Sequence, residues 1–212
     1  MFALLFHKPT RPINLDVPHI EGHSKLKLFP STVTDERTLK LCERELLHIN
    51  APIKDSNFNL EKALTNWTEN SEEFRRLVSG IQNSTGFRNI HHVYGDILLH
   101  VSQIESIARY DGLPSKTRYG DVVSRYGSKG TIKKLESLFE IEAGESLGTV
   151  VSELRNDIAH VHRPLQVLNK LSWRKVAEID QCLALIISSH ILSRLETSKS
   201  QINSYQEMFR PP

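Results

Sequence analysis

A mainly α-helical bundle of four or five helices, with a small β-rich segment at its N-terminal end, is the fold this sequence predicts. Three observations carry the prediction. Apolar residues recur at spacings of three and four over most of residues 57–212. Residues 1–56 instead hold five of the nine prolines and short alternating stretches such as KLKLF, Lys25 to Phe29. The chain is 39% hydrophobic and 25% charged over 212 residues, enough for one real core with a smaller attachment.

In the first 56 residues, period-two alternation punctuated by Pro and Gly reads as short strands and loops. DERTLKLCERELL reads as helix equally well. Too few apolar positions are present for an independent sandwich, so the segment is either a small β attachment or part of a larger β domain. From Asn57 the period changes. NLEKALTNWTENSEEFRRLVSGIQN supports one helix or two, broken near Asn70 and Ser71. The clearest helix is GFRNIHHVYGDILLHVSQIESIARYDG. Its stripe is Phe87, Ile90, Tyr94, Ile97, Val101, Ile104 and Ala108, and Gly112 lies just past its end. LPSKTRYGDVVSRYGSKG, with Gly112, Gly120, Gly127 and Gly130 in or beside it, reads as loop. TIKKLESLFEI is a short amphipathic helix. ESLGTVVSELRNDIAH is another, with Leu147, Val150, Val151, Leu154 and Ile158 on one stripe. SWRKVAEIDQCLALIISSHILSRLE is a long buried helix capped by Ser172. The division expected is therefore 1–56, β-rich, and 57–212, helical.

Composition narrows the function classes. A net charge of +2 shows no global polycation. Cys42 and Cys182 are the two cysteines, with no metal-ligand spacing, so neither a disulfide framework nor a zinc site is indicated, and a cytoplasmic setting is expected. MFALLF is too short for a signal peptide or a span, and CLALIISSHIL is interrupted by Ser188, Ser189 and His190, so no membrane segment is expected. No P-loop, GxGxxG or GxSxG occurs.

The stretch SELRNDIAHVHRP, Ser152 to Pro164, concentrates chemistry at a helix end. Arg155 offers a permanently charged fork that matches two phosphate oxygens. Histidine is the side-chain type that takes or gives a proton near neutral pH, and His160 supplies one. Together they suffice for RNA cleavage without a metal or other cofactor: a base activates the 2′-hydroxyl, the arginine stabilises the phosphorane and an acid protonates the leaving oxygen. Asn156 would orient the histidine or the phosphate. On an ideal helix of about 100° per residue, Arg155 and His160 lie roughly 140° apart. Either the helix distorts near its end or the groups meet around a phosphate between two chains. Pro164 disfavours helix at Arg163, so the helix ends close to His160. With 10 histidines in the chain, the bare spacing arises by chance; its helical context is what gives it weight.

LRNDIAHVHRP resembles the R-x4–6-H signature of the HEPN family (higher eukaryotes and prokaryotes nucleotide-binding), in which the position after the arginine is commonly Asn, Asp or His, as Asn156 is. In helix order, residues 58–197 resemble the ApeA-like branch, whose members carry a larger N-terminal β domain than 1–56 supplies. The resemblance implies a HEPN-type helical bundle and a metal-independent endoribonuclease that leaves a 2′,3′-cyclic phosphate. It implies a homodimer with a composite cleft, acting on RNA as a toxin or antiphage (abortive infection) effector, under an antitoxin or a phage-derived trigger. Arg155 would bind the scissile phosphate, His160 would be the general acid and base, and Asn156 would support them. His162 satisfies the longer spacing, Asp157 lies within the motif, and Glu105, in QIESIAR, sits where relatives often have an acid that holds the arginine or histidine.

Alternative readings are a non-catalytic HEPN-type module that dimerises and binds RNA or protein, and a partner in a toxin–antitoxin pair. Other features have plainer explanations. His91 and His92 are adjacent, so at most one points inward, and His19 and His23 flank Gly22 in a loop. His190 reads as a core histidine. Lys129, Lys133 and Lys134 read as a solvated face before an RNA contact. Tyr110, Tyr119 and Tyr126 read as turn packing before base stacking.

Overall fold

The computed structural model describes strands at 15–18 and 25–28, then residues 58–70, 74, 77, 93–142, 144–160 and 162–212. Strands β1 (Leu15–Pro18) and β2 (Lys25–Leu28) pair antiparallel, with Leu15 opposite Leu28. The other expectations for 1–56, including the alternative helix around Cys42, lie outside the described residues. So do His19, His23, Phe87, Ile90, His91 and His92.

Beyond the strands the described chain is mainly helical. Its helices are α1 (Leu60–Glu69), α2 (Val93–Tyr110), α3 (Arg118–Tyr126), α4 (Lys129–Phe139), α5 (Leu147–Ala159), α6 (Trp173–Arg194) and α7 (Lys199–Phe209). A 3₁₀ turn, Leu168–Lys170, precedes α6. These seven exceed the four or five expected, and the additions are α3 and α7. The LPSKTRYGDVVSRYGSKG stretch, expected as loop, contains α3. Tyr119, Val122 and Val123 form a buried stripe whose packing outweighs the low helix propensity of Gly120. Helix α7 starts at a capping box in which Ser198 and Gln201 satisfy each other's backbone N–H groups.

Starts and stops follow local chemistry. Asn59, Ser128, Ser146 and Ser172 each accept a backbone N–H from three residues on, which opens α1, α4, α5 and α6. Helix α1 ends at Asn70, where a break was expected. Gly112 closes α2 with φ of +65°, a conformation that glycine adopts without steric cost.

The core is built around α2 and α6. The Tyr94 ring meets Trp173 edge-on at 5.3 Å, and one to two turns further along both helices His100 meets Asp180 at 2.7 Å. The two helices therefore run side by side in the same direction. Ile97, Val101 and Ile104 of the first and Ile179, Leu183 and Ile187 of the second are fully buried in the core, while Tyr94, expected on the core stripe, is 37% exposed. Helix α3 packs on α2, α5 and α6, whereas α4 and α7 lie against α6. Gln206 of α7 joins this layer: its amide donates to the Tyr126 carbonyl and Ser189 Oγ at 2.6 Å each and accepts from the Ser128 N–H at 2.7 Å. Helix α6 is long and apolar enough to cross a membrane by length and composition, but 78% of that window is buried inside the protein. His190 is buried on it, against the edge of Tyr126 at 4.8 Å.

Candidate functional site

Helix α5 carries the motif, and two features fix its place. Val150, Val151 and Leu154 are buried, while Leu147 and Ile158 pack at the edge of the core. At its first turn Gly148 meets Gly120 of α3 so closely that a Cβ on Gly148 would stand 2.6 Å from the Gly120 nitrogen. Backbone against backbone at that crossing seats α5 on α3.

Arg155 lies beside the buried stripe, half-buried, and its Nη1 donates to Asn156 Oδ1 at 3.3 Å. That is its one hydrogen bond among the described residues, and no carboxylate there pairs with it. Asn156 thus braces the guanidinium, and its carbonyl accepts the His160 N–H at 3.0 Å. His160 caps the helix with φ −124° and ψ 83°. The regular helix ends one residue earlier, so the helical wheel does not set the direction of the His160 side chain. His160, His162 and Arg163 are all exposed, and the Arg163 N–H donates to the His160 carbonyl at 3.0 Å.

Asp157 serves the loop instead. It is buried, and its carboxylate accepts the backbone N–H groups of Gln166, Val167 and Leu168, with closest approaches of 3.0, 2.7 and 2.9 Å. The chain leaving α5 is thereby tied back onto that helix, and His160 and residues 162–165, all exposed, lie between the helix end and this clamp. Three N–H donors on one carboxylate make a strong clamp.

Glu105 is engaged elsewhere. Tyr119 Oη donates to it at 2.7 Å and Arg118 pairs with it, so its partners are on α3 and not Arg155 or His160. Burial, first of all, raises the Tyr119 pKa; the hydrogen bond with Tyr119, ahead of the Glu105 charge, raises that of Arg118. Reading the sequence without α3 hid this cluster. It also missed the His100–Asp180 pair, two polar side chains each 2% exposed or less, whose signal was a polar residue on each of two apolar helix faces.

Two concavities flank the end of α5. One, of about 570 Å³, is shallow and lined by Ala159, His160, His162 and Arg163. A larger cleft of about 840 Å³ runs under the 163–171 segment, with Glu140, Glu142, Glu145 and Glu153 on its walls. Lys134 pairs with Glu178 at 2.9 Å, while Lys129 and Lys133 are exposed. Tyr119 is buried, Tyr126 donates to Asp111 Oδ2 at 2.6 Å, and Tyr110 is exposed. No family model, characterised protein or solved structure matches the chain.

Proposed function

We propose that this chain is a HEPN-type, metal-independent endoribonuclease of the ApeA-like kind, working in the cytoplasm as a homodimeric toxin or antiphage effector. One observation carries the reading. A guanidinium with no carboxylate partner among the described residues, braced by Asn156, shares a helix end with an exposed imidazole. A structural arginine is commonly matched by an acid, whereas one left unmatched beside a histidine suits a phosphate that arrives with its own charge.

In the reaction, Arg155 holds the non-bridging oxygens of the scissile phosphate. His160 removes the 2′-hydroxyl proton as the 2′-oxygen bonds to phosphorus. The bond to the 5′-oxygen breaks, and that oxygen takes a proton from the imidazolium of the composite cleft, leaving a 2′,3′-cyclic phosphate and a 5′-hydroxyl. Two copies of α5 facing each other supply the acid and the base together. Asn156 keeps the guanidinium in line, and Asp157 holds the turn that carries His160.

The test is RNA cleavage by the purified chain and by Arg155→Ala and His160→Ala. Each variant is expected to lose at least ~100-fold in rate, the usual worth of a positioned acid–base or oxyanion group. Cleavage and growth arrest at the parent level in both variants would sink the proposal.

A further inference from the structure

Resting on that reading, we propose that His162 and Arg163, in the concavity they share with His160, are a second phosphate site, which grips the RNA phosphodiester next to the one being cut. Three observations converge on it. All three side chains are exposed, they line one concavity, and none is in an ion pair among the described residues. Their frame is fixed before any ligand arrives: the Arg163 N–H is bonded to the His160 carbonyl, and the Asp157 clamp closes the turn behind them. A pre-formed turn spends little ordering entropy on binding, which separates a site from a set of mobile surface cations.

The surroundings give the site a direction. Arg163 stands on the ridge between the two concavities. On its far side Glu142, Glu145 and Glu153 outnumber Lys170, Glu140 being paired with Lys175, and repel a polyanion, so a strand approaching Arg163 is confined to the His160 side. His162 and Arg163 then hold one phosphate while Arg155 and His160 act on its neighbour. The substrate class that follows is an oligonucleotide with at least two phosphodiesters.

The site can be read without any cleavage. In the full chain with ¹³C-labelled histidine, pyrophosphate is expected to shift the His160 and His162 resonances, and Arg163→Ala is expected to weaken its binding about tenfold, the loss of one charge-assisted contact. Binding of single-stranded RNA by this variant should show a salt slope lower by about 0.7, one phosphate contact fewer. The parent should cleave a trinucleoside diphosphate in preference to a dinucleoside monophosphate, and Arg163→Ala should erase that preference. Pyrophosphate affinity and salt slope both unchanged in Arg163→Ala would overturn the site. So would a poly-glutamate peptide that shifts the histidines while RNA does not. A chain that binds pyrophosphate and RNA through Arg163 yet cuts no RNA keeps the site and overturns only the ribonuclease reading.

Discussion

Asp157 concentrates the most interactions in the motif helix, three backbone N–H groups on one buried carboxylate. Its removal leaves those donors without a partner, and each unsatisfied donor costs about 1–3 kcal/mol. Asp157→Ala is therefore expected to lower unfolding stability by at least ~2 kcal/mol in urea, with faster amide exchange at residues 166–168. Unchanged exchange there would show that the clamp is not what holds the turn. None of this was visible in the sequence, because the acid and its partners belong to a helix and to a loop without periodicity. The bond from Arg155 to Asn156 was not foreseen either, since Asn156 was expected to orient the histidine or the phosphate. A second residue speaks to accessibility. Burial pushes the Cys182 thiol up to about 12, so at pH 8 it stays protonated as well as enclosed. Alkylating reagents should leave Cys182 unmodified in the folded chain and label it on unfolding.

The crossing of α3 and α5 shows how elements were and were not legible. Glycines in GDVVSRYG argued for loop, yet Gly120 is where α5 comes closest, and the apolar stripe around it forms a helix. Helix α7 was missed because KSQINSYQEMF is polar on most positions, although Ile202 and Tyr205 are buried and its capping box stands in the sequence. Helices α2, α4, α5 and α6 were readable from periodicity, with Gly112 closing α2 and Ser172 opening α6 as expected, while the caps Ser128 and Ser146 of α4 and α5 were not read. The crossing itself is asymmetric. A Cβ on Gly148 would lie 2.6 Å from backbone, while one on Gly120 would meet Gly148 at 3.7 Å, an ordinary contact. Gly→Ala in a helix gains about 0.5–1 kcal/mol, and overpacking costs about 1–3 kcal/mol. Gly120→Ala should thus be neutral or stabilising and Gly148→Ala destabilising, as thermal melts of the two variants would show. Equal effects would mean that the helices separate freely at this point.

For the whole molecule, the described fold is a parallel pair, α2 and α6, wrapped by shorter helices, with the motif at one exposed helix end. Charge ties the wrapping to the pair. Hydrogen bonds from Lys134 and then Arg174 hold the Glu178 carboxyl below its ordinary value. Because Glu178 ionises more readily when folded, its contribution is present at neutral pH and is lost as pH falls from about 4.5 through the lowered folded value. The stability gap between the parent and Glu178→Gln should accordingly narrow between pH 7 and pH 3. A gap that is constant with pH would assign the effect to packing.

The central claim is that Arg155 and His160 cut RNA without a metal, and end chemistry tests it most directly. RNA treated with the purified chain in EDTA is predicted to carry 2′,3′-cyclic phosphate and 5′-hydroxyl ends, which vanish with His160→Ala. Ends of another kind, or the same ends made at the parent rate by His160→Ala, would contradict it.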